Sequence, residues 1–176
     1  MTRHVNVSSR RATESDAAAL AEVGAALFRQ TYAGSISAAE IDRHVSADFS
    51  TARQAGELRD PSIVSFLVER GSSTVGFAQL RLRELRDDAA GPAEIELWRI
   101  YLDRSLHGMG VGRRLLATLG EAAQERGATA MWLAVWEKNP RAIAFYEKHG
   151  FDRAATQTFQ VGDEVQNDLV LRRPLP

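Results

Sequence analysis

The sequence predicts a single mixed α/β domain with a central, partly antiparallel sheet flanked by helices. Three observations lead there. β-branched and aromatic runs bounded by Gly and Pro recur from the middle of the chain onward. Stretches with helical spacing and capping residues lie between them. No internal repeat, low-complexity tract or linker divides the 176 residues, a length that suits one hydrophobic core.

In chain order, Val5 to Ala12 reads as a first strand. Thr13-Glu14-Ser15-Asp16 reads as a helix start, with Thr13 as N-cap and acidic groups where the helix dipole favours them. Leu20, Val23 and Leu27 follow at helical spacing, so this helix is expected to run to about Thr31. Ser37 is expected to cap a second helix with Ile41 and Val45 on one face, and Thr51 to Leu58 reads as a third. After Asp60-Pro61 the pattern changes. Ile63 to Val68 and Thr74 to Leu82 read as strands joined by a turn at Gly71-Ser72-Ser73. Gly91-Pro92 separates them from a strand at Glu94 to Leu102. Leu115, Leu116, Leu119 and Ala122 give a helix stopped by Gly127, and Met131 to Trp136 is a short strand. Asn139 to His149 reads as a helix ended by Gly150. Thr156–Val161 and Val165–Arg172 close the chain as strands around a turn at Gly162-Asp163.

Composition narrows the functional classes. Hydrophobic residues make up 44% and charged residues 26%, as in ordinary globular proteins. Lys plus Arg is 22 and Asp plus Glu is 23, a net charge of −1, so no general attraction to nucleic acid or an anionic membrane is expected. The absence of cysteine excludes disulfides, thiolate zinc sites and a cysteine nucleophile. His4, His44 and His149 have no metal-ligand spacing, so no metal is expected. The N-terminal residues lack the apolar run of a signal peptide. No stretch approaches the ~20 apolar residues of a membrane helix. A cytoplasmic protein is expected.

The most informative segment is Asp103-Arg104-Ser105-Leu106-His107-Gly108-Met109-Gly110-Val111-Gly112-Arg113-Arg114. It joins a strand to a helix. Gly108, Gly110 and Gly112 allow close approach of backbone to a ligand. The leading amides of a helix lack partners and favour an anion, phosphate above all, and Arg113 and Arg114 add positive charge. A tight turn serving only helix–sheet packing is the other reading. The spacing is not that of a dinucleotide-binding fingerprint, and the Gly-Lys-Ser/Thr of a P-loop is absent.

Glu94 to Leu119, with Gly110 and Gly112 at its centre, resembles motif A of the Gcn5-related N-acetyltransferase (GNAT) family. His107 stands where the family prefers Gln or Arg. Trp132 to Phe151 looks like motif B, with Asn139, Ala142, Phe145-Tyr146-Glu147-Lys148 and Gly150-Phe151 in the familiar spacing. Glu96 to Leu102 and Val161 to Asp168 are similar to the bacterial branch that includes PaiA-type spermidine/spermine acetyltransferases. The resemblance is strong over about Glu94 to Arg172, and weaker over the first 60 residues, expected to serve the acceptor.

The resemblance implies the GNAT fold, acetyl-CoA as co-substrate and direct acetyl transfer to a primary amine, polyamines first. A protein lysine or N-terminal acetyltransferase and a catalytically silent acyl-CoA-binding module are the alternatives. It also implies roles. His107, Gly108, Met109, Gly110, Val111, Gly112 and Arg113 would receive the pyrophosphate. Ile100, Tyr101 and Leu102 would offer backbone to the pantetheine arm, with Leu133–Val135 parting from its neighbour to admit the thioester. Asn139 would touch that arm while capping its helix, and Lys148 would approach the adenosine phosphates or remain a solvated lysine. Tyr146 would be the general acid, with Phe145 in the core. Glu96 would be a general base or, with Glu94, a solvent-facing pair; the two share one strand face, opposite Ile95 and Leu97. Trp98, Trp132 and Trp136 line an acceptor site or pack in the core. Asp163, Glu164 and Asp168 attract a polyamine or are merely solvated. Many members dimerise through sheet edges, so a homodimer is a further expectation.

Overall fold

The structure, a computed structural model, describes residues 6–82, 94–161 and 164–176. The strands are β1 (Val7–Arg11), β2 (Ile63–Arg70), β3 (Ser73–Leu82), β4 (Glu94–Leu102), β5 (Ala130–Trp136), β6 (Asp152–Val161) and β7 (Glu164–Pro174). The helices are α1 (Ala17–Tyr32), α2 (Ala38–Asp48), α3 (Thr51–Arg59), α4 (Val111–Gln124) and α5 (Pro140–Lys148). The sheet runs β1-β2-β3-β4-β5-β7-β6. β4 and β5 are parallel, while β1–β2, β2–β3, β5–β7 and β6–β7 are antiparallel. The Gly91-Pro92 separator and the turn expected at Gly162-Asp163 lie outside the described residues.

The chain divides into two compact units: Met1–Arg81 with Arg99–Leu116, and Leu82–Trp98 with Ala117–Pro176. The divisions fall inside β4 and inside α4, so neither unit is one continuous stretch of sequence.

In the first unit, Leu20, Val23, Leu27 and Phe28 of α1 bury with Ile41, Phe49, Leu67 and Phe77 in one cluster. The α1 residues recur at three and four, which puts them on one helix face. Phe77 stacks on Tyr101 with ring centroids 5.4 Å apart. Helix starts follow local chemistry. Ser37 forms a capping box with Glu40, and the Ser50 hydroxyl accepts from the Arg53 amide. Thr13 forms a capping box too, but the first turn, Glu14–Asp16, is 3-10, and α1 begins only at Ala17. The cause is Asp16: its carboxylate accepts from the Thr13 amide at 2.8 Å while Arg10 grips it at 2.8 and 2.9 Å, tightening that turn.

A polar layer lies within this unit. Arg99 Nη1 donates to Glu57 Oε2 and to Gln79 Oε1, both at 2.8 Å. Gln79 Nε2 donates to Glu57 Oε2 at 3.0 Å and to the Ser65 hydroxyl at 3.1 Å. Arg53 Nε donates to Glu57 Oε1 at 2.8 Å. Burial pushes the Arg99 guanidinium down from its ordinary value, opposed by Glu57 and Asp48.

In the second unit, Ile95, Leu97, Met131, Leu133 and Leu171 are buried on the strands, and Leu119, Ala122, Ala123 and Ile143 on the helices. Gly127 (φ 76°) follows α4 and Gly150 (φ 83°) follows α5, left-handed positions that suit glycine at helix ends.

Candidate active site

The glycine turn belongs to the first unit. Gly108 and Gly110 have φ of 80° and 72°, which a residue with Cβ resists. A side chain at Gly108 would meet nothing within 4 Å, so this glycine is there for backbone conformation rather than packing. The Gly110 carbonyl accepts from the Arg114 amide at 3.2 Å and so closes the first turn of α4. The amides of Val111, Gly112 and Arg113 come before that bond, as the leading donors of the helix. Val111 is buried and anchors the helix, while residues 107–110 and Arg113 are exposed. Arg114 Nη1 donates back to the Met109 carbonyl at 3.4 Å. Gly112, expected in the turn, is the second residue of α4. Such a frame can bind an oxyanion.

The approach to the turn is framed. The Asp103 amide donates to the Val75 carbonyl at 2.9 Å, and Asp103 Oδ1 accepts from the Ser105 amide at 2.9 Å. Arg70 Nη1 donates to the Ser105 hydroxyl at 3.0 Å. Asp103 is held below the usual carboxylate range, first by its bonds from Ser105. Ile100, Tyr101 and Leu102 are half-buried.

The second unit carries the other candidates. β4 and β5 pair at Glu94↔Ala130, Ile95↔Met131 and Glu96↔Trp132, and the ladder stops there. Yet β4 continues to Leu102 and β5 to Trp136. Leu133–Val135, where a parting was expected, thus lie beyond the β4–β5 pairing. At the last paired position, Trp132 is buried and its indole Nε1 has no hydrogen-bond partner, which no other described buried side-chain atom lacks. A buried donor without an acceptor is uncommon in folded proteins.

Glu96, opposite Trp132, is 6% exposed. Glu94 Oε1 accepts from Arg172 Nε at 2.8 Å. The solvent-facing pair of carboxylates is thus not what forms: one is buried and the other is held by an arginine. Asn139 caps α5, its Oδ1 accepting from the Ala142 amide at 3.1 Å, which leaves its Nδ2 as the donor end of the amide. Tyr146 is buried, edge-on to Phe151 at 5.6 Å and to Phe145 at 5.3 Å. Phe145, expected in the core, is only half-buried and lies 4.5 Å from the His149 ring. Lys148 is exposed.

Of the tryptophans, Trp132 is buried and Trp98 and Trp136 are half-buried. Asp168 is half-buried and shifted up, chiefly by burial, so it is not a merely solvated carboxylate. Asp163 and the Glu164 side chain lie outside the described residues, as does His4. Among the described residues no helix is long and apolar enough to cross a membrane, and no group of His, Asp and Glu could hold a metal.

Sequence reasoning missed Arg99, Glu57, Gln79 and Gln30. Arg99 had a signal: it shares strand parity with Ile95 and Leu97, the buried face. Glu57 had one as well, its i,i+4 spacing from Arg53; Gln79 and Gln30 had none, because their partners are distant in sequence.

Residues 26–151 match the model of the acetyltransferase (GNAT) family. The chain is 34% identical over 160 residues to an uncharacterized N-acetyltransferase of Mycobacterium bovis, covering 91% of this chain and 98% of that one. It is 31% identical over 84 residues to a ribosomal-protein-bS18-alanine N-acetyltransferase of Escherichia coli, covering 47% of this chain and 57% of that one. The fold is similar to the crystal structure of a PaiA N-acetyltransferase from Thermoplasma acidophilum in complex with coenzyme A. The TM-score is 0.78 and the identity 21%, over 96% of this chain and 99% of that one. The chain therefore belongs to the acetyltransferase (GNAT) family, and it is an N-acetyltransferase with acetyl-CoA as its co-substrate.

Proposed function

We propose that this enzyme acetylates the primary amine of a small cytoplasmic molecule, a polyamine first among them, by direct transfer from acetyl-CoA. The observation that carries the reading is the parting of β4 from β5 after Glu96 and Trp132. It frees strand edges for a ligand's amide groups and leaves a buried indole donor at the point of parting. The glycine turn supports it, since leading helix amides with open space at Gly108 suit a pyrophosphate.

Each residue then has a task. The amides of Gly108 and of residues 110–113 bind phosphate oxygens, with His107 and Arg113 at the rim. Backbone of Ile100–Leu102 and the Asn139 amide orient the pantetheine arm. The acyl group comes from the thioester, and the amine must be neutral to attack it. Glu96, buried beside Trp132, accepts the amine's proton directly or through water. Tyr146 donates a proton to the departing thiolate sulfur. Lys148 lies at the surface, suited to the adenosine phosphates.

The relative from Escherichia coli is named for acting on an alanine of a ribosomal protein, which favours a protein acceptor as the second reading. The test is thiol release from acetyl-CoA against spermidine, spermine, amino acids and lysine or N-terminal alanine peptides. Turnover that is fastest with polyamines supports the first reading. Turnover confined to peptides replaces it with the second. Tight acetyl-CoA binding without turnover on any amine leaves a silent acyl-CoA-binding module.

A further inference from the structure

We propose that Gln30, in the last turn of α1, is a positioning residue for coenzyme binding: its side-chain amide fixes the segment from which the glycine turn departs. This inference rests on reading that turn as the coenzyme site. Gln30 Nε2 donates to Asp103 Oδ2 at 3.2 Å, and Gln30 Oε1 accepts from the Arg104 amide at 3.1 Å. The Arg104 guanidinium also donates to the Gln30 backbone carbonyl. The amide orientation is fixed by its partners, because a carboxylate must accept and a backbone N–H must donate.

From this clamp a series of bonds leads to the turn. The Leu106 amide donates to the Asp103 carbonyl at 2.9 Å, His107 to Arg104 at 3.1 Å and Met109 to Leu106 at 3.3 Å. Leu106 is 1% exposed, whereas 107–110 are all exposed. The turn therefore takes its position from 103–106, and Gln30 holds the two residues at the head of that segment. The side chain is specified chemically. A donor and an acceptor are needed in one plane, on a stem long enough to span from α1. Glutamate would set a like charge against Asp103, lysine offers no acceptor, and asparagine is one methylene short.

The test measures the equilibrium affinity for coenzyme A, with steady-state kinetics. Gln30→Ala is expected to weaken coenzyme A binding and raise KM for acetyl-CoA about tenfold, the scale of two lost hydrogen bonds, with kcat at saturation within about twofold. Gln30→Glu is expected to bind weakly at pH 8 and to regain affinity as the pH falls and the new carboxyl protonates. Gln30→Glu combined with Asp103→Asn exchanges donor for acceptor and is expected to restore binding, a rescue that a loss of folding would not allow. Arg10→Ala removes ion pairs to Asp16 and Glu69 and is expected to leave coenzyme affinity unchanged. Unaltered affinity in Gln30→Ala, with wild-type binding intact, overturns the inference. Wild-type protein that does not bind coenzyme A overturns the coenzyme reading itself, and this inference with it.

Discussion

Arg99 donates to Glu57 at 2.8 Å from a position 9% exposed, and Glu57 is 4% exposed. Removing Arg99 takes from the buried Glu57 its buried counter-charge and leaves it the exposed Arg53, removing Glu57 leaves the buried Arg99 facing Asp48, and removing both takes away both buried charges. Arg99→Ala is expected to cost about 3–5 kcal/mol of unfolding free energy. Arg99→Met combined with Glu57→Leu is expected to cost much less than the single changes add up to. Urea unfolding of the two single variants and the double variant measures the cycle.

Two helical glycines are expected to answer the same substitution with opposite signs. A Cβ at Gly24 of α1 would lie 2.3 Å from Phe49 Cδ1. That ring cannot retreat, for it is packed 5.9 Å from Phe77 and lies 5.2 Å beneath the Arg99 guanidinium. Gly24→Ala should therefore destabilise by about 1–3 kcal/mol despite the better helix propensity. Gly56 of α3 has nothing within 4 Å of such a Cβ, and Gly56→Ala should stabilise by about 0.5–1 kcal/mol. Thermal unfolding of the pair reads both signs.

Tyr146→Phe keeps the ring that packs edge-on to Phe151 and removes only the hydroxyl. Turnover is expected to fall about a hundredfold or more, with coenzyme A affinity within about twofold of wild type. Undiminished turnover would remove Tyr146 as the acid and transfer protonation of the thiolate to another group or to water.

Asp16 gives an acid-side dependence of stability. The hydrogen bonds from Arg10 hold its carboxyl well below the usual range. A carboxyl lowered in the folded state stabilises above its unfolded value of about 3.9. That contribution is lost as the pH falls toward the folded value. Unfolding free energies measured from pH 5 down to pH 2 should fall more steeply in wild type than in Asp16→Asn. Equal slopes would mean that this pair contributes nothing to the acid limb.

The fold was legible where its signals are local. Ser37 and Asn139 accept from amides three residues on, as their types predict, and Gly127 and Gly150 follow the ends of their helices. β4 was readable residue for residue because alternation and Gly91-Pro92 bound it. Less legible was whatever depends on distant partners. The 3-10 start at Glu14 follows from Arg10, β6 begins at Asp152 because its register with β7 extends to Arg172, and Glu96 is buried by its surroundings rather than by its type. The glycine turn could be read from Gly108 and Gly110 alone. The clamp on its approach could not, since Gln30 and Asp103 are 73 residues apart.

β5 is paired with β7 along its full length, from Ala130↔Pro174 to Trp136↔Asp168, but with β4 only over its first three residues. A strand directs successive peptide groups to alternate sides. Beyond Trp132, then, every second amide is locked into the β7 ladder while those between look toward the side that β4 has left. Deuterium should enter this strand in a skipping pattern, slow and fast by turns. A molecule that pairs with that edge of β5 should slow the fast set and leave the slow set as it was, so that β5 carries a residue-by-residue record of occupancy.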